Sequence, residues 1–371
     1  MARIIRVGGS SSETSWHEAL KDLRADDVLM LGPGFYYLPQ GLTLTDITIK
    51  GTGSVPEDTT IEGYISVSED SRYVTLENLC INTTTDNNSL FVPAETDGYL
   101  TLRNCCIKGN GTDTAAIAVN GKITVELYST KVVNGSVSMY ANANFRLEMN
   151  DSLIDYKSDK YCALALEGQG TAIINNSNIH GSINTFAQTN AELDINNSEA
   201  DYILLHGQTW MNMLNSTVRA KDDSCLYLSD DCWSNIMNSK FNGGVYIDKK
   251  TRTIIQNSTI NRMVVINEAK VTMSNSTVTA HSDFQDQSSC EATRVSFMGN
   301  MDYEYFLALS GNAHLRGHDL LLHPNGADLA IQDEAKLYTN VIADKGEKLS
   351  VECDKRPNVY ILGVQWTAKR K

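Results

Sequence analysis

The chain has 371 residues, a net charge of −14, 20% charged side chains and 42% hydrophobic ones. It is too apolar to stay unfolded, and too acidic for a general nucleic-acid binder, which needs a basic face. Its eight cysteines show no C-x-x-C pair and no zinc-finger spacing, so buried free thiols are expected.

The opening stretch MARIIRVGGSSSETSW has only a very short apolar run, so no secretory leader is legible and the compartment stays open. No apolar run reaches transmembrane length. The segment SWHEALKDLRADD (15–27) reads as a short amphipathic helix. Ser15 and Glu18 have capping-box spacing, and Trp16, Ala19, Leu20 and Leu23 form its apolar face. Alternating strands follow in VLMLGPGFYYLPQGLTLTDITIKGTG (28–53).

From there one pattern recurs: LENLCI, LRNCCI, MNDSLI, INNSNI, INNSEA, MLNSTV, IMNSKF, IQNSTI and MSNSTV. Its aligned position is Asn78, Asn104, Asp151, Asn176, Asn197, Asn215, Asn238, Asn257 and Asn275. Degenerate copies place Ser129, Arg294, His318 and Thr339 in the same column. The period is about 22 residues. A leucine-rich horseshoe would show denser leucine and regular spacing, whereas these copies lie 18 to 26 residues apart. Each repeat holds two short strands, one that precedes and spans the asparagine and one that lies upstream. The upstream strands present Ile117/Val119, Val137/Met139, Leu164/Leu166, Ile183/Thr185, Ile203/Leu205, Leu226/Leu228, Val245/Ile247, Val264/Ile266 and Leu307/Leu309 inward.

This predicts an all-β, right-handed parallel β-helix: a solenoid with an N-terminal helical cap and an internal asparagine ladder. One domain spans 1–371, with lead-in and cap over 1–27, coils over 28–363 and a tail over 364–371. Asparagine tolerates the left-handed backbone of a corner, and its amide both donates and accepts. The many Asn-x-Ser/Thr triplets are therefore read as by-products of an inward asparagine column, not as glycan acceptors. Repetition also stacks Cys80 under Cys106.

The segment 15–53 resembles the opening of right-handed parallel β-helix proteins of the pectin-lyase-like superfamily. There a capping helix precedes a Gly-Asp, a strand pair and an ITIxGxG stretch; here Asp26-Asp27 stands at the Gly-Asp place and ITIKGTG matches. The resemblance implies carbohydrate chemistry or surface binding. It assigns no reaction, because that fold carries lyases, hydrolases, tailspikes and adhesins alike.

The outward residues of the upstream strands form the candidate site. Tyr140, Phe186, Tyr227 and Tyr246 offer rings for sugars, with Lys250 and Arg252 as charge partners. Glu167, His206, Asp230, Asp231 and Asp248 are the catalytic candidates. A hydrolase needs two carboxyls about 5–5.5 Å or about 6.5–9.5 Å apart, and Glu167 lies three or four coils from the aspartates. A lyase would instead hold Ca²⁺ on Asp230, Asp231 and Asp248 against a uronate. Ordered signatures of polygalacturonases and pectate lyases are missing; the Asp-Asp pairs at 222–223 and 230–231 stand alone. The reading is a carbohydrate-binding or surface-interaction protein, needing no cofactor, whose long face meets a glycan or a protein. The alternative is a polysaccharide lyase or glycoside hydrolase acting on the Tyr140–Asp248 face. Assembly state is not legible.

Overall fold

The computed structural model describes residues 3–8, 14–111, 114–221, 224–342, 348–355 and 358–369. The serine-rich lead-in at 9–13 and the Asp-Asp pair at 222–223 lie outside them. The chain divides into two compact units, residues 1–194 and 195–371. The fold is an all-β parallel solenoid with coils of about 22 residues and 3% helix.

A coil of the first unit shows the construction. Strand Lys122–Tyr128 pairs in parallel with Asp97–Arg103 on one side and Asn144–Asn150 on the other. A corner at Ser129 leads to a three-residue strand, Lys131–Val133. A second corner at Asn134 leads to Val137–Met139, and a turn starts the next coil. Each coil thus has three faces, not two. The middle strand is too short for its alternation to show in sequence. In the second unit it often fuses with the third face, as in Lys240–Ile247, through a register shift between Phe241 and Gly244.

The inward columns expected on the third face are fully buried, with one correction. In the coil after Val245/Ile247, Met263 and Val265 turn inward, whereas Val264 and Ile266 stay partly exposed. An uninterrupted apolar run carries no parity, and the register shift moves its alternation by one.

The asparagine column marks the first corner. From Asn78 to Arg294 its members all have φ between 48° and 52°. The last degenerate copies are displaced: Asp319 takes the left-handed backbone in place of His318, and Thr339 does not adopt it. The ladder exists as stacked amides, with Asn104 Nδ2 donating to Asn78 Oδ1 at 2.8 Å and Asn215 Nδ2 to Asn197 Oδ1 at 3.2 Å. Its direction needs correcting, since from Asn104 to Asn275 these asparagines are exposed. Burial therefore does not bar a glycan; in these two rungs the amide nitrogen that would carry one is already donating.

The inward rung is the next residue. Ser198, Ser216, Ser239, Ser258 and Ser276 are buried in the second unit. Each of the first four N–H groups donates to the serine oxygen of the following coil, at 3.1–3.2 Å. Each hydroxyl also donates to the carbonyl two residues before it, as Ser258 does to Gln256 at 2.7 Å. Thr130, Ser152 and Ser177 repeat this in the first unit. The hydroxyl is needed because the left-handed corner turns backbone N–H groups into the core, away from the strand ladders.

An alanine at Asn257 would keep a Cβ in left-handed backbone, so Asn257→Ala should cost about 1 kcal/mol and Asn257→Gly less. Urea unfolding of both variants checks the order.

At the N-terminus the helix is shorter than expected, Trp16–Lys21, with Ser15 as its cap. Trp16 packs edge-on against Tyr36 at 5.1 Å, and Ala19 is buried. Asp26 has a glycine-like φ of 68°, and buried Asp27 pairs with Arg3 at 2.6 Å. Lead-in residues Ile4–Val7 already form a strand on Val28–Leu31. The segment read as a tail holds another, Trp366–Lys369, on Leu349–Glu352. All eight cysteines are free thiols, and Cys80 and Cys106 face each other in register. Among the described residues no helix is long and apolar enough to cross a membrane.

Candidate functional site

The residues singled out on the third face fall in both units. Tyr140, Glu167 and Phe186 belong to the first, and His206, Tyr227, Asp230, Asp231, Tyr246 and Asp248 to the second.

In the second unit, Leu205, Leu228 and Ile247 align on successive coils. The residues that follow them, His206, Ser229 and Asp248, leave the sheet together at the start of the turn. Asp248 is 7% exposed and fully engaged. Its Oδ2 accepts from Tyr227 Oη at 3.0 Å and Ser229 Oγ at 3.4 Å. Its Oδ1 accepts from Asn267 Nδ2 at 2.5 Å and the Lys249 N–H at 2.6 Å. Burial opposes ionisation, but the bonds from Asn267, Tyr227 and Lys249 outweigh it and hold the carboxyl below its usual range.

Asp230 belongs to a corner ladder. Its Oδ2 accepts from the Gly207 N–H at 3.1 Å, as Asp286 does from Asn267, Asp333 from Gly311, and Asp354 from Asp333. Its Oδ1 holds Lys249 Nζ at 2.5 Å, and His206 Nδ1 lies 3.5 Å from Oδ2. The Lys249 ammonium, then the Gly207 N–H, depress its pKa. Beside it is an open hollow of about 540 Å³, lined by Asp230, Asp231, Lys249, Lys250, Asn267 and Glu268. Tyr246 receives the Arg262 guanidinium, which also lies 5.3 Å from its ring centre.

Sequence order placed Arg252 with this group, but the structure parts them. After the turn at 248–251 the chain enters the first face, where Arg252 pairs with Trp233. The Ca²⁺ reading finds a poor donor set. Calcium wants six to eight oxygens, whereas Asp248 and Asp230 already accept from Tyr, Asn, Lys and backbone donors. Among the described residues no three His, Cys, Asp or Glu side chains gather as a metal group.

In the first unit the outward positions Ala118, Ser138 and Ala165 are recessed, 0–5% exposed. Tyr140 and Glu167 stand beside them, half-buried. Burial pushes the Glu167 carboxyl up, and burial together with its charge pushes up the Tyr140 phenol and the Cys162 thiol. Asn184, in register with Ala165, has a buried Oδ1 with no partner. Glu167 is thus one desolvated carboxyl in a polar recess.

Sequence reasoning missed the first-face surface of the second unit. There Trp210, 50% exposed, and Trp233 meet at 4.2 Å between ring centres, followed in register by Arg252 and Lys270. The signal was present in the repeat: each residue lies five positions before its corner residue.

The sequence matches no protein-family model and no curated protein.

Proposed function

We propose that this is a carbohydrate-binding solenoid that works as a platform and not as an enzyme. The observation that carries the reading is that Asp248, Asp230 and the Tyr246 hydroxyl are each already held by neighbouring groups. Asp248 takes four hydrogen bonds, Asp230 holds both a lysine and a backbone N–H, and the Tyr246 hydroxyl is bound by Arg262. A general acid or base must exchange its proton with substrate, and groups fixed this way serve geometry instead. What they hold in place is a rigid surface with Tyr227 and Tyr246 on consecutive coils, suited to stacking against sugar rings. The superfamily resemblance of residues 15–53 supports a carbohydrate ligand.

One observation favours a second reading, a hydrolase or lyase: the desolvated Glu167 carboxyl beside Tyr140 has the character of a proton donor. The two readings separate in one assay. The protein is incubated with polyuronates and neutral glycans, with and without Ca²⁺, while binding, reducing ends and unsaturated-uronate absorbance are followed. The platform reading expects binding without turnover, weakened by Tyr227→Ala and Tyr246→Ala. Turnover that disappears in Glu167→Gln would replace it.

Glu167 also gives a pH prediction. Its raised folded-state pKa means that its stabilising contribution is present below the unfolded carboxyl value and lost as pH rises through the folded one. Glu167→Gln should therefore melt higher than the parent at neutral pH, and the gap should close towards pH 4. An unchanged gap across that range would place Glu167 in water.

A further inference from the structure

We infer that the first face of the second unit is a separate binding surface for a linear glycan carrying one anionic group per sugar. Trp210, Trp233, Arg252, Lys270, Ser289, His314 and Lys336 occupy one register column. Arg316 stands in the neighbouring column of the same coil as His314. Successive rungs are about 4.8 Å apart, so the column is a tryptophan platform continued by a line of positive charge.

Three features separate this column from an ordinary solvated face. First, its cations are not neutralised. On the same sheet of the first unit, Lys50 pairs with Glu77, Lys122 with Asp97 and Arg146 with Glu148, at 2.6–2.8 Å. Among the described residues, Arg252, Lys270, Arg316 and Lys336 form no ion pair. The sole carboxylate in these two columns is Glu291, in register with Arg316. Second, the positive groups crowd. Burial, then the charges of Lys336 and Arg316, push the His314 imidazole down. A bound anion would relieve that repulsion. Third, the surface is hollowed where they meet, over about 290 Å³ lined by Lys270, Ser289, Glu291, His314 and Arg316.

The pattern selects the polymer. Single-stranded nucleic acid is held by a run of aromatic rings along the whole groove, one under each base. Here the indoles sit together at one end and charges follow coil by coil. A glycan with a carboxylate or sulfate on each ring lays one ring on Trp210 and Trp233 and brings later anions past Arg252, Lys270 and Lys336.

The inference shares with the proposed function only the glycan class of ligand, because the tyrosines lie on another sheet. The full chain is titrated by calorimetry at low and moderate salt. The probes are a polyuronate, dextran sulfate, neutral dextran and oligothymidylate. Binding of the polyuronate or of dextran sulfate, above neutral dextran and oligothymidylate, is expected, and the better of the two names the anion. Arg252→Gln with Lys270→Gln should weaken it roughly tenfold at low salt, and flatten the slope of log Kd against log salt by up to about two. Trp210→Ala should weaken it at both salts alike, and Arg252→Lys should retain most of it. These side chains are exposed, so melting temperatures should hold. Equal affinity in the double variant, tighter binding of oligothymidylate, or no binding of either acidic glycan would overturn this face. Loss of binding in Tyr227→Ala alone would also overturn it, while leaving the tyrosine platform standing.

Discussion

Asp248→Ala is expected to destabilise the second unit by about 2–3 kcal/mol, whether or not any glycan is present. The alanine would strip the Lys249 N–H and the fully buried Ser229 hydroxyl of their acceptor, and leave Tyr227 without its anchor. Asp248→Asn, which keeps an acceptor oxygen, should cost less. The pH dependence has a defined sign. Because the folded-state pKa lies below the unfolded value of 3.8, the contribution is complete above that value and lost as pH falls through the folded one. The parent should therefore lose stability in acid, and Asp248→Asn should lose less of it. Urea midpoints measured from neutral pH down to about pH 3 check this. A catalytic Asp248 would show the reverse pattern, with full stability in the alanine variant and loss of turnover alone.

Ser258→Ala is expected to cost about 1–3 kcal/mol, although it removes one oxygen from a residue that is 3% exposed. The Ser239 N–H would lose its acceptor at 3.1 Å, in a core where water cannot replace it. Neighbouring rungs are coupled through the shared ladder. Ser239→Ala with Ser258→Ala should therefore deviate from the sum of the single losses, unlike two changes far apart. Ser258→Thr should recover part of the stability, since in the first unit the Thr130 hydroxyl accepts from the Cys105 N–H and donates to the Tyr128 carbonyl in the same way. Indifference of the protein to Ser258→Ala would mean the corner N–H groups are satisfied in another way.

Both predictions concern groups whose roles the sequence only half disclosed. The column from Asn78 to Asn275 was legible because a left-handed corner tolerates few residue types, and the need for one recurs in every coil. That the following serine is the inward partner was not legible. Asn-Ser-Thr reads equally well whichever of its members turns in, and only the corner geometry distinguishes them. The columns from Ile117 to Ile247 were readable because strict alternation has one parity. At 263–266 the parity failed, because Met-Val-Val-Ile offers no polar residue to fix it.

The candidate site divides the same way. Tyr227 and Tyr246 stand in register on one face, whereas His206 and Asp248, read as outward on it, leave the strand ends into the turn, where Asp248 is buried. Their partners were not foreseeable. Asn267 and Lys249 reach Asp248 from a later coil and from a turn, and such distances depend on how each turn closes. Arg252 was named as a charge partner of the aspartates, yet a turn carries it to another sheet. There it joins Trp233, nineteen residues earlier in the chain but one rung away.

The sequence by itself determined the coil: its period, its left-handed corner and the inward columns. These follow from local backbone preference and from hydrophobic alternation, both written within a single repeat. Tertiary structure decided which polar groups satisfy one another and which are left to meet a ligand. That choice depends on neighbours one coil away, and a chain closing every 18 to 26 residues sets those neighbours by turn geometry, not by sequence proximity.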